Sequence, residues 1–82
     1  MDYSDVLSEL IHHAGISYGE TSRRLGKSPN WALNSSAPGR NPKLSTVADV
    51  ADVCGVDVKL VDRETGEIVG VVDPPHRVKR ED

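Results

Sequence analysis

The sequence predicts a mainly α-helical domain, four helices followed by a C-terminal antiparallel β-hairpin. Three observations predict it. Apolar residues recur at helical spacing in two segments, near the N-terminus and in the middle of the chain. Two shorter segments between them carry helix caps and stops at close intervals. After residue 55 the apolar spacing changes from the helical period to strict alternation. The chain has 82 residues, enough for one small core and not for two.

Leu7, Leu10, Ile11 and Ala14 follow the i, i+3, i+4, i+7 rule of one helix face, with Ser4 as the expected cap and Gly15 as the stop. Ser17-Tyr18-Gly19-Glu20 has the spacing of a capping box and starts a second helix that reaches Leu25. Gly26 ends it. Two helices joined at a steep angle by so few residues need one left-handed position, which glycine adopts cheaply. Small Ser22 would let these two helices approach, and Ala32 would pack inward. Ser28 is the expected cap of a third helix, Pro29 its first residue and Ser35 about its last. Residues 36–42, rich in Pro, Gly, Ser and Asn, read as a loop. A fourth helix starts near Ser45, repeats the helical spacing at Val47, Val50, Ala51 and Cys54, and ends at Gly55. Asp49 and Asp52 fall on its outer face.

Val56, Val58 and Leu60 then alternate with Asp57 and Lys59, as a strand does. Glu64-Thr65-Gly66 reads as a hairpin turn, and a second strand runs from Glu67 to about Val72, where Asp73-Pro74-Pro75 ends it. The domain plan is therefore a helical core over 1–55, a hairpin over 56–73 and a flexible charged tail over 74–82.

Apolar residues make up 37% of the chain and phenylalanine is absent, so Leu, Val, Ile and Ala must build the core. A core this thin commonly leans on a staple, a metal or a partner subunit. The single cysteine excludes an internal disulfide, and Cys54 lies in an apolar pattern that makes it a small buried hydrophobe. No apolar run approaches the roughly 20 residues of a membrane span, and the acidic N-terminus lacks a signal-peptide pattern. A cytoplasmic protein is expected.

The net charge is −3, yet the charge is unevenly placed. Residues 17–43 hold Arg23, Arg24, Lys27, Arg40 and Lys43 against Glu20 alone, a local +4. Residues 44–73 hold seven acids against Lys59 and Arg63, a local −5. For nucleic-acid binding the local footprint outweighs the total.

The run from Ser17 through Trp31, with its Gly26 turn, followed by Pro42-Lys43-Leu44-Ser45-Thr46-Val47 and Val50 through Val56, resembles the lambda-repressor/Cro-like (XRE-family) helix-turn-helix domains. The resemblance covers roughly Leu7 to Leu60. Two positions depart from it: Tyr18 stands where the family often has a phosphate-touching Gln, and Ser22 where it usually has Ala. The hairpin, proline pair and basic tail are similar in order to lambda Cro, which lacks a helix like the fourth one here.

The resemblance implies insertion of the third helix into the major groove of double-stranded DNA. Pro29, Asn30 and Asn34 would then face the base edges. The Asn30 amide suits adenine N6 and N7 together, and Pro29 offers only apolar contact, as to a thymine methyl. Lys27, Ser28, Trp31, Arg40, Asn41 and Lys43 are candidates to hold the DNA backbone, as are Ser17, Tyr18, Arg23 and Ser36. Free N–H groups at the starts of the second and third helices would favour phosphate. Trp31 has two readings, a face laid on the DNA backbone or the largest residue of the core. Arg23 and Arg24 also suit an ordinary solvated helix face.

An isolated hairpin is marginal and must pack on something. Val58 and Leu60 occupy one parity, while Val61, Val69 and Val71 supply the other, so one small core does not need all five. These residues are the expected interface of a two-fold homodimer, which would present two reading helices about 34 Å apart on an inverted-repeat operator. A sequence-specific transcriptional repressor is the function this implies. The alternative is a protein-binding module, an antitoxin or inhibitor whose acidic hairpin half grips a basic cognate partner. Neighbouring His12 and His13 point about 100° apart on a helix and cannot readily share a metal. No metal, cofactor or catalytic constellation is expected.

Overall fold

Asp2 opens the first turn of the computed structural model, which describes residues 1–75. Its carboxylate accepts the Tyr3 N–H at 2.8 Å and caps a short 3-10 turn, Tyr3–Asp5. Helix α1, Val6–Ala14, continues from it. The cap expected at Ser4 is therefore displaced: the Ser4 hydroxyl donates to Asp2 instead, at 3.0 Å. Helix α2 spans Tyr18–Arg24, α3 Trp31–Ser35 and α4 Leu44–Val53. Most of the expected charged tail, from residue 76 on, lies outside the described residues.

The expected core residues of α1 and α4 meet. Leu7, Ile11 and Val50 are almost fully buried with Ala32 of α3 between them. Leu10, Ile16, Leu25, Val47 and Cys54 close around this cluster. Ala48, absent from the expected apolar face, is buried as well. Asp49 and Asp52 are half-buried rather than fully outside. Cys54 is half-buried rather than fully buried, and this partial burial raises the pKa of its thiol.

Strands β1, Val58–Val61, and β2, Ile68–Val72, pair antiparallel as expected. Val58 faces Val72, Lys59 faces Val71 and Leu60 faces Gly70. The next pair is Val61 with Ile68, which leaves Val69 as an extra residue in a bulge. The turn is wider than Glu64-Thr65-Gly66. Asp62 organises it: its carboxylate accepts the Glu64 and Thr65 N–H groups at 2.9 and 3.1 Å. Gly66, at φ 75°, closes it by donating to the Asp62 carbonyl. The hairpin joins the helices where β1 packs on α4. None of the described helices is long and apolar enough to cross a membrane.

Candidate nucleic-acid interface

The joint between α2 and α3 rests on two residues. Gly26 adopts φ 68°, the left-handed conformation the tight turn demands. Ser22 is completely buried in α2 and does more than save space. Its hydroxyl donates to the Tyr18 carbonyl at 3.0 Å and accepts the Ala32 N–H at 2.9 Å. The first turn of α3 is thus capped from a neighbouring helix. The expected local cap fails for the same reason. The Ser28 carbonyl, not its hydroxyl, accepts the Trp31 N–H, so Ser28-Pro29-Asn30 forms a turn and α3 starts at Trp31. Pro29 is therefore not the first helical residue.

Ser17 caps α2 through its hydroxyl, which accepts the Glu20 N–H at 3.0 Å. The reciprocal half of the expected capping box is absent because Glu20 has stronger partners. Its carboxylate takes two charge-assisted bonds from Arg23, at 2.6 and 2.7 Å, and one from Arg24 at 3.0 Å. These guanidinium groups pull the Glu20 pKa down from 4.5 to about 2.

Pro29, Asn30 and Asn34 are all exposed. Asn30 makes no side-chain cap bond, so its amide is free to pair outward. Asn30 stands just before α3 as its N-cap, and Asn34 follows one turn later, its N–H donating to the Asn30 carbonyl at 3.0 Å.

An open cleft of about 520 Å³ runs between α3, the following loop and the start of α4. Ser28, Trp31, Asn34, Arg40, Asn41 and Lys43 line it, so six of the expected site residues share one surface. Ser35, Pro42 and Thr46 line it too. Sequence reasoning passed over these three, although the nearness of Pro42 and Thr46 to Lys43 would have pointed to them.

Trp31 is half-buried against the core and also forms part of the cleft wall. The Lys27 ammonium lies 5.7 Å from the centre of its ring, within cation–π range. At the cleft, α4 begins with Lys43 as its N-cap and no side-chain cap, which leaves N–H groups there open. At α3 the Ser28 carbonyl and the Ser22 hydroxyl already accept the Trp31 and Ala32 N–H groups, whereas at α2 the Ser17 hydroxyl accepts only that of Glu20.

The remaining backbone candidates lie elsewhere. Tyr18 packs on the core, and its hydroxyl lies 3.3 Å from the Ser8 hydroxyl and 3.4 Å from a His12 ring nitrogen. The Ser36 hydroxyl turns back onto the Ala32 carbonyl. Arg23 remains exposed but is tied to Glu20.

In the hairpin, Leu60, Val61, Val69 and Val71 are 49–70% exposed, whereas Val58 is half-buried. Ile68, at 50%, joins the exposed set, though alternation did not single it out. Comparison with protein-family models, curated proteins and solved structures finds no significant match for this chain.

Proposed function

We propose that this chain is a sequence-specific double-stranded DNA-binding protein, a transcriptional repressor of lambda-repressor-like helix-turn-helix type. The observation that carries the reading is the surface around α3. Two exposed carboxamides, Asn30 at the N-cap of α3 and Asn34 one turn into it, stand beside a cleft that collects Arg40, Lys43, Trp31 and the uncapped start of α4. Amides read base edges, while cations and open N–H groups take phosphates. The Gly26 turn and the Ser22 bond hold α3 at a fixed angle to α2, as a helix inserted in a groove requires.

The exposed hairpin supports action as a homodimer on an inverted repeat. The two-stranded hairpin leaves five large apolar side chains exposed, Leu60 on one face and Val61, Ile68 and Val71 on the other with Val69 in the bulge, and a partner would cover such apolar surface. In solution the chain would then have twice the monomer mass at micromolar concentration.

Salt dependence of duplex binding tests the proposal. Affinity should fall steeply with salt, with a log–log slope of about −0.9 per phosphate neutralised. Arg40→Ala should weaken all duplexes alike and make that slope shallower by about one unit. Absence of duplex binding at low salt would overturn the reading and leave the acidic hairpin half, gripping a basic protein, as the surface to pursue.

A further inference from the structure

The cations around α3 are committed in a way that constrains which bases it reads. The helix itself, Trp31–Ser35, carries no charged residue. Arg23 and Arg24 both hold the Glu20 carboxylate. Lys27 lies over the Trp31 ring. Arg40 and Lys43 belong to the loop and the start of α4, and they line the same cleft as Asn34 rather than standing on α3 itself. The commonest specific contact in the major groove is a cationic side chain on guanine O6 and N7. α3 therefore offers no cation of its own for that contact, and Arg23, Arg24 and Lys27 beside it each have a partner within the chain. What remains is Asn30 and Asn34, whose bidentate partner is adenine through N6 and N7.

Their spacing adds a second constraint. Asn30 is the N-cap of α3 and its carbonyl accepts the Asn34 N–H, so the two residues stand one helical turn, about 6 Å, apart along the axis. Successive base pairs rise about 3.4 Å, so 6 Å is about two base-pair steps for a helix lying along the groove. A five-residue helix, about 7.5 Å long, covers little more than that.

Resting on the DNA-binding reading, we infer that Asn30 and Asn34 each read one adenine, about two base-pair steps apart in each half-site, and that α3 contacts no guanine. Either strand can supply each adenine. Pro29, exposed beside Asn30, adds apolar contact to a neighbouring thymine methyl.

Selection of bound duplexes from a random pool, with the full chain and its variants, tests the inference. The unaltered chain should enrich half-sites with two adenine positions about two steps apart, each preferred by about 5- to 150-fold. Asn30→Ala should erase one of these positions and keep the other, and Asn34→Ala should do the converse. Both residues are exposed, and an unchanged melting temperature would show that the variants fold. Lys27→Gln should weaken all duplexes alike and leave the selected motif intact. Enrichment of an invariant guanine that Lys27→Gln abolishes would overturn the inference while DNA binding stands. So would a selected motif that neither asparagine variant changes. If the unaltered chain enriches no duplex, the DNA-binding reading falls, and this inference with it.

Discussion

The helical half and the hairpin half treat their apolar residues in opposite ways. In the helices Leu7, Ile11 and Val50 are each 1% exposed, interlocked across α1 and α4, and the exposed exceptions Leu33 and Leu44 lie in α3 and at the start of α4. In the hairpin Leu60, Val61, Ile68, Val69 and Val71 are at least 49% exposed, although the strands pair regularly on both sides of one bulge. Hydrogen bonding therefore holds the hairpin's shape, through the ladder and the Asp62 turn. Burial of apolar surface, the dominant driving force of folding, is concentrated in the helices. Stability belongs to one half, and the other keeps its apolar surface available.

The largest expected effect breaks this contrast from the helical side. Leu7→Ala or Ile11→Ala should cost about 2–5 kcal/mol in denaturant unfolding, against less than about 0.5 kcal/mol for Val71→Ala in the monomer. Equal losses at the two places would mean that the hairpin is part of the core.

Ser22→Ala comes next. It removes the hydroxyl that accepts the buried Ala32 N–H, so it should cost about 1–3 kcal/mol, far more than an exposed Ser→Ala change. Loss of DNA affinity beyond the loss of stability would show that the bond also sets the angle of α3.

Val69→Lys sharpens the comparison from the other side. It should lower the mass measured by light scattering toward the 8.9 kDa monomer and leave the monomer's unfolding within about 0.5 kcal/mol. A wild-type chain that stays monomeric at high concentration would remove the reason for the exposed surface.

The smallest effect is a pH dependence. The pKa values of Glu20 and Asp62 are both lowered on folding, Glu20 by Arg23 and Arg24 and Asp62 by the N–H groups of Thr65 and Glu64. Groups with depressed folded pKa values bind fewer protons in the native state. Their stabilisation is complete above the unfolded value and is lost as pH falls through the folded one. For Glu20 that window runs from 4.5 down to about 2. Glu20→Gln should flatten the unfolding curve there, with a modest change because both arginine partners are solvent-exposed.

The legible parts of the fold share one property: their causes lie within a few residues. The faces of α1 and α4 follow from side-chain period, and the α2–α3 turn from a glycine that must be left-handed. The start of α3 was illegible because its first-turn amide is satisfied by Ser22, ten residues back, while Ser28-Pro29 imitates a local cap. The half-made capping box has a similar origin. Glu20 had three possible partners in sequence, and two arginines at i+3 and i+4 prevail over an uncharged N–H. In the hairpin, alternation missed Ile68 because the bulge at Val69 breaks the two-residue period on which it relies. The cleft was legible as a set of polar and cationic residues. That Trp31 serves both the core and the cleft follows only from the packing of α3.

Trp31 is the chain's only tryptophan. All indole emission therefore originates from one wall of the cleft, within reach of the Lys27 ammonium. The molecule thus carries an intrinsic optical probe at the surface under question. A ligand entering the cleft would change the solvent around that ring and shift its emission, whereas an event confined to the hairpin would leave the spectrum unchanged.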